Sequence, residues 1–373
     1  MADQHPTYLE PSELGTKDYW ETYYARTLSH LSTKQPAPAV ASSSSSTNQP
    51  TQTQTQTQAL SSSSDEETDD DDEVDDDSDP GTSWFSEHNA PEKVLDFLTD
   101  ETFPLAPCNT LPGRGHAAEG EAGVPCEAPP PPHQPSILDL GTGNGSMLAL
   151  LRKRGGFRGA LVGVDYSAQS VELARRLQAL RIHRAYLSDS DDSGDEDEGE
   201  GEAHGTGAKE AGTEIRFEEW DILSSSEDEA GVVPEGLGWF PYEQGGFDIV
   251  LDKGTFDAVS LSAEVVSGEE RKRGKMVQRR VCERYPGIAR GLVRPGGFLV
   301  VTSCNWTEEE LVEWFTASAA AAISAGGDGG DGGDGDGRKD RLVVWGRVEY
   351  PRFRFGGREG QGVCTVCFQR VVS

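Results

Sequence analysis

The sequence predicts an α/β fold of the Rossmann-like kind, a mostly parallel sheet with helices on both faces. Three observations predict it. The apolar run Ile137-Leu-Asp-Leu leads into a glycine-spaced turn, Gly141-Thr-Gly-Asn-Gly145. A second apolar run, Leu161-Val-Gly-Val, ends in Asp165. From there to residue 371, short apolar runs alternate with helically patterned segments, the order that builds a parallel sheet.

Residues 12–30 open with Ser12-Glu-Leu-Gly and place Tyr19, Trp20, Tyr23 and Tyr24 at helical spacing. Residues 84–102 form a second helical segment, in which Trp84-Phe85-Ser86-Glu87 leads to Val94, Leu95 and Leu98 on one face. Ser86 or Asn89 would cap it. The two segments are expected to make one N-terminal helical cover, interrupted at 31–83 by a Ser/Thr/Gln-rich and acidic insertion. A Pro/Gly-rich loop at 103–135 precedes the main domain, residues 136–373. In that domain strand one is 136–140, with its helix near 145–155, and strand two is 160–165, with a helix near 168–180. Strand three, Ile215–Trp220, runs up to Asp221, and strand four is Phe247–Leu251. A helix near 275–292 precedes the turn Arg294-Pro-Gly-Gly297 and strand five, Phe298–Thr302. Thr307 and Glu310 mark a capping box at the start of another helix. Leu342–Tyr350 and Val363–Val371 complete seven strands. The last is short-linked to the one before and is expected to run antiparallel to its neighbours. Right-handed crossovers put helices on both faces.

Composition limits how much of the 373 residues can pack. The serine and Thr-Gln tracts, the Pro/Gly loop and the insertions at 186–213 and 325–340 bury too little apolar area to offset ordering entropy. Roughly 240 residues remain, the size of one α/β domain. The net charge of −32 is concentrated in the same stretches. Asp65–Asp79 contributes −12 and Asp189–Glu214 contributes −10, leaving −10 for the rest. A moderately acidic body argues against direct nucleic-acid binding, which needs clustered Lys and Arg, and suits a basic protein partner. No apolar stretch approaches the roughly 18 residues of a membrane span. The start Met1-Ala-Asp-Gln-His lacks a signal-peptide core. The six cysteines are too scattered for a secreted disulfide framework. Cys364-Thr-Val-Cys367 reads as strand cysteines, with no second ligand pair to make a metal site. A cytoplasmic monomer without a metal is expected.

The glycine turn bears on the cofactor. A dinucleotide site wants G-x-G-x-x-G with pyrophosphate on a helix N-terminus, but Ser146 stands where the third glycine belongs. Asp139 would also repel a pyrophosphate while suiting the amino group of a methionine-type ligand. S-adenosylmethionine is therefore favoured over NAD. In open α/β sheets ligands lie outside the carboxyl ends of the strands. On that basis Asp139, Gly141, Thr142, Gly143, Asn144, Gly145, Asp165, Tyr166, Asp221, Ile222, Asp252 and Lys253 are the candidate cofactor-binding residues. Gly141 and Gly143 permit close backbone approach. Asn144 either bonds the ligand or structures the loop. Asp165 would accept from the ribose hydroxyls, Tyr166 would pack beside the adenine, and Asp221 would accept from its amino group.

The segment Asp252-Lys-Gly-Thr-Phe-Asp-Ala258 puts charged residues where the transferred methyl should lie. Asp/Asn-Pro-Pro-aromatic loops, common in enzymes that methylate planar exocyclic amines, do not occur here. That points to an aliphatic amine as acceptor. Asp252 is the candidate catalytic residue, orienting either the amine or the methionine end of the cofactor. Lys253 either pairs with a carboxylate or forms an internal pair with Asp252. Tyr19, Trp20, Trp84, Phe85, Phe256 and Trp306 are candidates for a substrate channel, with core packing the competing role for each.

With these residues in hand, the chain resembles a seven-β-strand, class I methyltransferase. More narrowly, it resembles the eukaryotic elongation factor 1-alpha lysine methyltransferase 2 family. The resemblance rests on Gly15-Thr-Lys-Asp-Tyr-Trp-Glu-Thr-Tyr-Tyr24, Trp84-Phe-Ser-Glu87, Ile137–Gly145 and Val164-Asp-Tyr-Ser167. Asp252–Ala258 and Thr302-Ser-Cys-Asn-Trp-Thr307 complete it. It implies S-adenosylmethionine-dependent methylation of a lysine on translation elongation factor 1-alpha. The long insertions depart from the family's compact pattern and bear on substrate docking. Two other readings stay open: a small-molecule or nucleic-acid methyltransferase of the same fold, and a non-catalytic cofactor-binding module.

Overall fold

The structure, a computed structural model, describes residues 8–34, 85, 88–110, 133–181, 184–186, 214–224, 233–270, 275–324, 340–355 and 358–373. Its N-terminal elements are α1 (Lys17–Lys34), α2 (Ala90–Thr99) and the single turn α3 (Pro107–Thr110). Next come β1 (Ile137–Leu140), α4 (Ser146–Lys153), β2 (Leu161–Asp165), α5 (Ala168–Leu180) and β3 (Arg216–Glu219). The middle of the chain forms β4 (Phe247–Lys253), α6 (Thr255–Ser260), β5 (Val265–Glu270) and β6 (Lys275–Arg280). Then follow α7 (Tyr285–Leu292), β7 (Val293–Ser303), α8 (Glu308–Ser324) and β8 (Asp340–Val348). A small hairpin of β9 (Arg352–Phe355) and β10 (Arg358–Gln361) precedes β11 (Cys364–Val372).

Seven strands form one sheet in the order β3-β2-β1-β4-β7-β11-β8. The first five are mutually parallel, and β11 lies antiparallel between β7 and β8. This is the mostly parallel seven-stranded sheet that the sequence predicts, antiparallel last strand included. All four residues of β1 are buried, as expected of a central strand covered on both sides. Strand alternation divides the core in two. Leu138, Leu140, Val164 and Val250 pack with Phe256, Tyr285, Ile288 and Phe315, on the side of α6, α7 and α8. Ile137, Leu161, Ile249 and Leu251 pack with Leu98, Leu148, Leu151 and Ala174, on the side of α2, α4 and α5. Local chemistry sets several helix starts. Ser167 caps α5 by accepting from the Ser170 amide at 3.2 Å. The capping box at α8 is formed, with Thr307 Oγ1 accepting from the Glu310 amide and Glu310 Oε2 from the Thr307 amide.

Four expectations need correction. The helix expected near 275–292 begins only at Tyr285, with Pro286 in its first turn. Residues 275–280 instead pair antiparallel with 265–270, so a partner strand overrides local helical patterning. The two N-terminal helical segments are not one cover. Tyr24 and Leu28 of α1 pack on Leu173 and Leu177 of α5, whereas Val94, Leu95 and Leu98 of α2 join the α4 side of the sheet. The start of the 103–135 loop is packed structure: the Phe103 ring is fully buried, 5.0 Å from Phe298 and 5.4 Å from Trp345. Helix α1 also runs four residues into the 31–83 insertion, to Lys34. The rest of that insertion, residues 111–132, 187–213 and 325–339, and Trp84 lie outside the described residues.

Among the described residues no helix is long and apolar enough to cross a membrane. Cys364 and Cys367 are both buried in β11 but belong to the cores on opposite sides of the sheet, which keeps them from converging on one metal.

Candidate active site

A cavity of about 260 Å³ opens at the carboxyl ends of β1 to β4, near the lower end of the range for small-ligand clefts. Its floor is the turn after β1. Gly141, Gly143 and Gly145 all take positive φ, at 58°, 57° and 75°. A side chain at Gly141 would meet Thr255 Oγ1 at 2.3 Å, and one at Gly143 would approach the Tyr24 hydroxyl at 3.1 Å. The first two glycines line the cavity. Gly145 does not; it lets the Phe217 ring pack against the start of α4.

Asp165 closes β2 and faces the cavity while almost wholly buried. Its Oδ2 accepts from the Gly143 amide at 3.2 Å and the Ser170 hydroxyl at 2.8 Å, and its Oδ1 from the Ser167 amide at 3.0 Å. The carboxylate thus ties the glycine turn to the start of α5. Burial raises its pKa above the ordinary carboxylate value, against those three hydrogen bonds. Asp221, just past β3, also lines the cavity; its Oδ1 accepts from the Leu223 amide at 2.9 Å. Thr142, Asn144, Tyr166, Ile222 and Lys253 complete the sequence-derived cofactor residues on the wall, with Trp20 and Phe85 beside them.

Asp139, Asp252, Tyr19, Phe256 and Trp306 do not line the cavity. Asp139 lies under the turn and accepts from Thr142 Oγ1 at 2.9 Å. Burial lifts its pKa to about 6, opposed by the charge of Lys253 and the Thr142 bond. Asp252 is turned away by strand parity. Its neighbour in β1 is Leu140, so its side chain lies on the α7 side, where Tyr285 donates to Oδ2 at 2.7 Å. The Thr255 and Phe256 amides donate to the same carboxyl at 2.9 and 3.2 Å, which makes it the anchor of α6 rather than a residue facing the acceptor. Burial pushes its pKa up to about 7. Phe256 and Trp306 stack on each other within the core. Tyr19 packs edge-on against Trp20 at 5.2 Å.

The sequence reasoning missed Lys17, Tyr24, Thr255 and Glu264, all of which line the cavity. For two of them a signal was present. Lys17, Trp20 and Tyr24 fall at i, i+3 and i+7, one stripe of a helix, and α1 presents that stripe to the cavity. Trp20 is fixed by donating from Nε1 to the Leu14 carbonyl at 2.8 Å. The segment before α1 is held by the Ser12 amide, which donates to the Leu261 carbonyl at 3.1 Å. Tyr24 is buried beside Asp165, and its phenol pKa rises well above the ordinary value for both reasons. Glu264 reaches the site from the loop after α6 and has no local signature.

The family profile described as a methyltransferase domain matches residues 134–186, the segment holding β1, the glycine turn and Asp165. The chain is 27% identical over 360 residues to protein-lysine N-methyltransferase EFM4 of Saccharomyces cerevisiae, covering 96% of each chain. It is 28% identical over 235 residues to EEF1A lysine methyltransferase 2 of Danio rerio, covering 63% of this chain and 66% of that one. The human protein of the same name is 26% identical over 240 residues, covering 64% and 67%. Among solved structures, N-methyltransferase NodS from Bradyrhizobium japonicum with S-adenosyl-L-homocysteine overlaps 63% of this chain and 78% of its own. That overlap has a TM-score of 0.29 and 12% identity, too low to bear on the site.

Proposed function

We propose that the chain is a class I methyltransferase of the elongation factor 1-alpha lysine methyltransferase 2 family, on its likeness to the relatives above, and that it transfers a methyl group from S-adenosylmethionine to a lysine of translation elongation factor 1-alpha. One observation carries the reading of the site: the cavity's acceptors sit at the ends of adjacent strands, Asp165 after β2 and Asp221 after β3. That spacing suits a nucleoside laid across the strand ends, ribose over β2 and base towards β3. The residues present fit such a group, because a side chain at Gly143 would close the gap between the turn and Tyr24 of α1, and one at Gly141 the gap to Thr255 of α6.

When bound, S-adenosylmethionine supplies an electrophilic methyl carbon on a sulfonium. Asp165 would accept from the ribose hydroxyls through its remaining lone pairs while still bracing the turn. Asp221 would accept from the exocyclic amine of the base, with Tyr166 and Ile222 against its faces. Trp20, Tyr24 and Phe85 would exclude water from the side facing solvent. For an in-line displacement the protein's main contribution is positioning and desolvation. An incoming lysine must arrive neutral, and its ordinary pKa of about 10.4 falls when the ammonium is desolvated. Its proton can therefore leave to solvent as the ammonium enters and is desolvated, without a dedicated base.

Purified protein incubated with labelled S-adenosylmethionine and recombinant elongation factor 1-alpha tests the reading, with the site mapped by mass spectrometry. Methyl-lysine on the elongation factor is the expected result. Label confined to RNA or small molecules would reject it, as would absence of transfer by a protein that binds the cofactor.

A further inference from the structure

Among the described residues two lysines line the cavity, Lys17 and Lys253, and the sheet order separates their roles. Along this edge the strands succeed one another as β3, β2, β1 and β4. Asp221, Asp165, the glycine turn and Lys253 therefore follow in that order along the cavity. Given the adenosyl reading above, on which this inference rests, the nucleoside takes the β3 and β2 end. The amino-acid tail then extends over β1 and β4.

Lys253 stands at that far end. Asp252 pairs with Leu140, which puts Lys253 level with Gly141. Alternation sends the Lys253 side chain to the same side of the sheet as Asp139. Its ammonium lies 5.5 Å from the centroid of the buried Phe85 ring, and its charge stabilises the Asp139 carboxylate. The ammonium of Lys17 lies instead 5.5 Å over the ring of Tyr166, the residue after β2. Only one of the two cations is at the tail end.

An amino-acid tail carries one carboxylate and one ammonium. A cation resting on an aromatic face at the cavity's end is complementary to the first of these. We propose that Lys253 binds the α-carboxylate of the cofactor's methionine tail and positions it, with Phe85 and Asp139 setting where that ammonium stands.

The test compares two ligands that differ by the tail, using calorimetry on the full chain. S-adenosylhomocysteine carries the carboxylate, and 5′-methylthioadenosine keeps the nucleoside and lacks it. Lys253→Met is expected to weaken S-adenosylhomocysteine about ten-fold or more while leaving 5′-methylthioadenosine within two-fold, and Lys253→Arg to recover part of the loss. Retained methylthioadenosine binding also shows that the variant is folded. Equal weakening of both ligands, or of neither, overturns the assignment to Lys253. So does a loss selective for the tail in Lys17→Met. A wild-type chain that binds neither ligand would instead sink the adenosyl reading itself.

Discussion

Asp165 carries the heaviest demand in the proposed function, which asks one carboxylate both to brace the turn and to hold the ribose. Its three present partners are two backbone amides, at Gly143 and Ser167, and the Ser170 hydroxyl. Asp165→Asn keeps the shape but replaces one oxygen by an NH₂ group. If the amide oxygen stays with Gly143 and Ser170, the new donor faces the Ser167 amide, and one buried N–H loses its acceptor. That costs about 1–3 kcal/mol of folding stability. Asp165→Ala strips both amides and costs about twice as much. Ligand binding adds a separate loss: exchanging a charged for a neutral acceptor under the ribose should cost about 1.5–3 kcal/mol, roughly 10- to 150-fold in affinity. Denaturant unfolding reads the first quantity, and calorimetry with S-adenosylhomocysteine on the folded variant reads the second. A folded Asp165→Asn protein that is destabilised but binds within two-fold of wild type would refute the ribose role and leave a purely structural aspartate.

Gly141→Ala should be destabilised by about 2–4 kcal/mol in denaturant melts. The new methyl must displace Thr255 Oγ1, which donates to the Leu140 carbonyl at 2.7 Å, at a φ of 58°; an unchanged midpoint would mean that the turn is not rigid. Asp252 holds its proton more tightly folded than unfolded, with a pKa near 7 against the ordinary 3.8. Its contribution is therefore complete below about pH 4 and lost as pH rises through 7. Asp252→Asn should lose less stability than wild type between pH 5 and pH 8 in paired thermal melts, and parallel pH profiles would count against the shift. Trp20→Ala removes a half-buried wall of the cavity, and S-adenosylhomocysteine affinity should fall about ten-fold with little change in melting temperature. A large drop in melting temperature with intact affinity would make Trp20 a packing residue.

The sheet was legible because its signals are local. Strands β1, β2 and β4 are short apolar runs that end in an aspartate or a glycine turn, and the capping pair Thr307 and Glu310 stands at the start of α8 as written in the sequence. What escaped was set by distant partners. Nothing in residues 275–280 announces that residues 265–270 will pair with them. The aromatic content of 84–103 does not say that Phe103 will join Phe298 and Trp345 instead of ending a cover. The small hairpin of β9 and β10 also escaped; its two strands form a sheet of their own, apart from the seven-stranded one.

In the site the division follows parity. Residues at the tip of a strand or in the turn beyond it, such as Gly141, Gly143, Asp165 and Asp221, reach the cavity because turns after parallel strands open on one edge. Residues still inside a strand are sorted by alternation. Ile137 to Leu140 and Ile249 to Asp252 run level, so Asp139 and Lys253 share one side while Asp252 takes the other. Counting in twos from Leu138 and Val250, both on the α7 side, assigns Asp252 to that side at once. The adjacent charges in Asp252-Lys253 are thereby split. One becomes the buried anchor of α6 through Thr255, Phe256 and Tyr285, and the other lines the cavity at its β4 end.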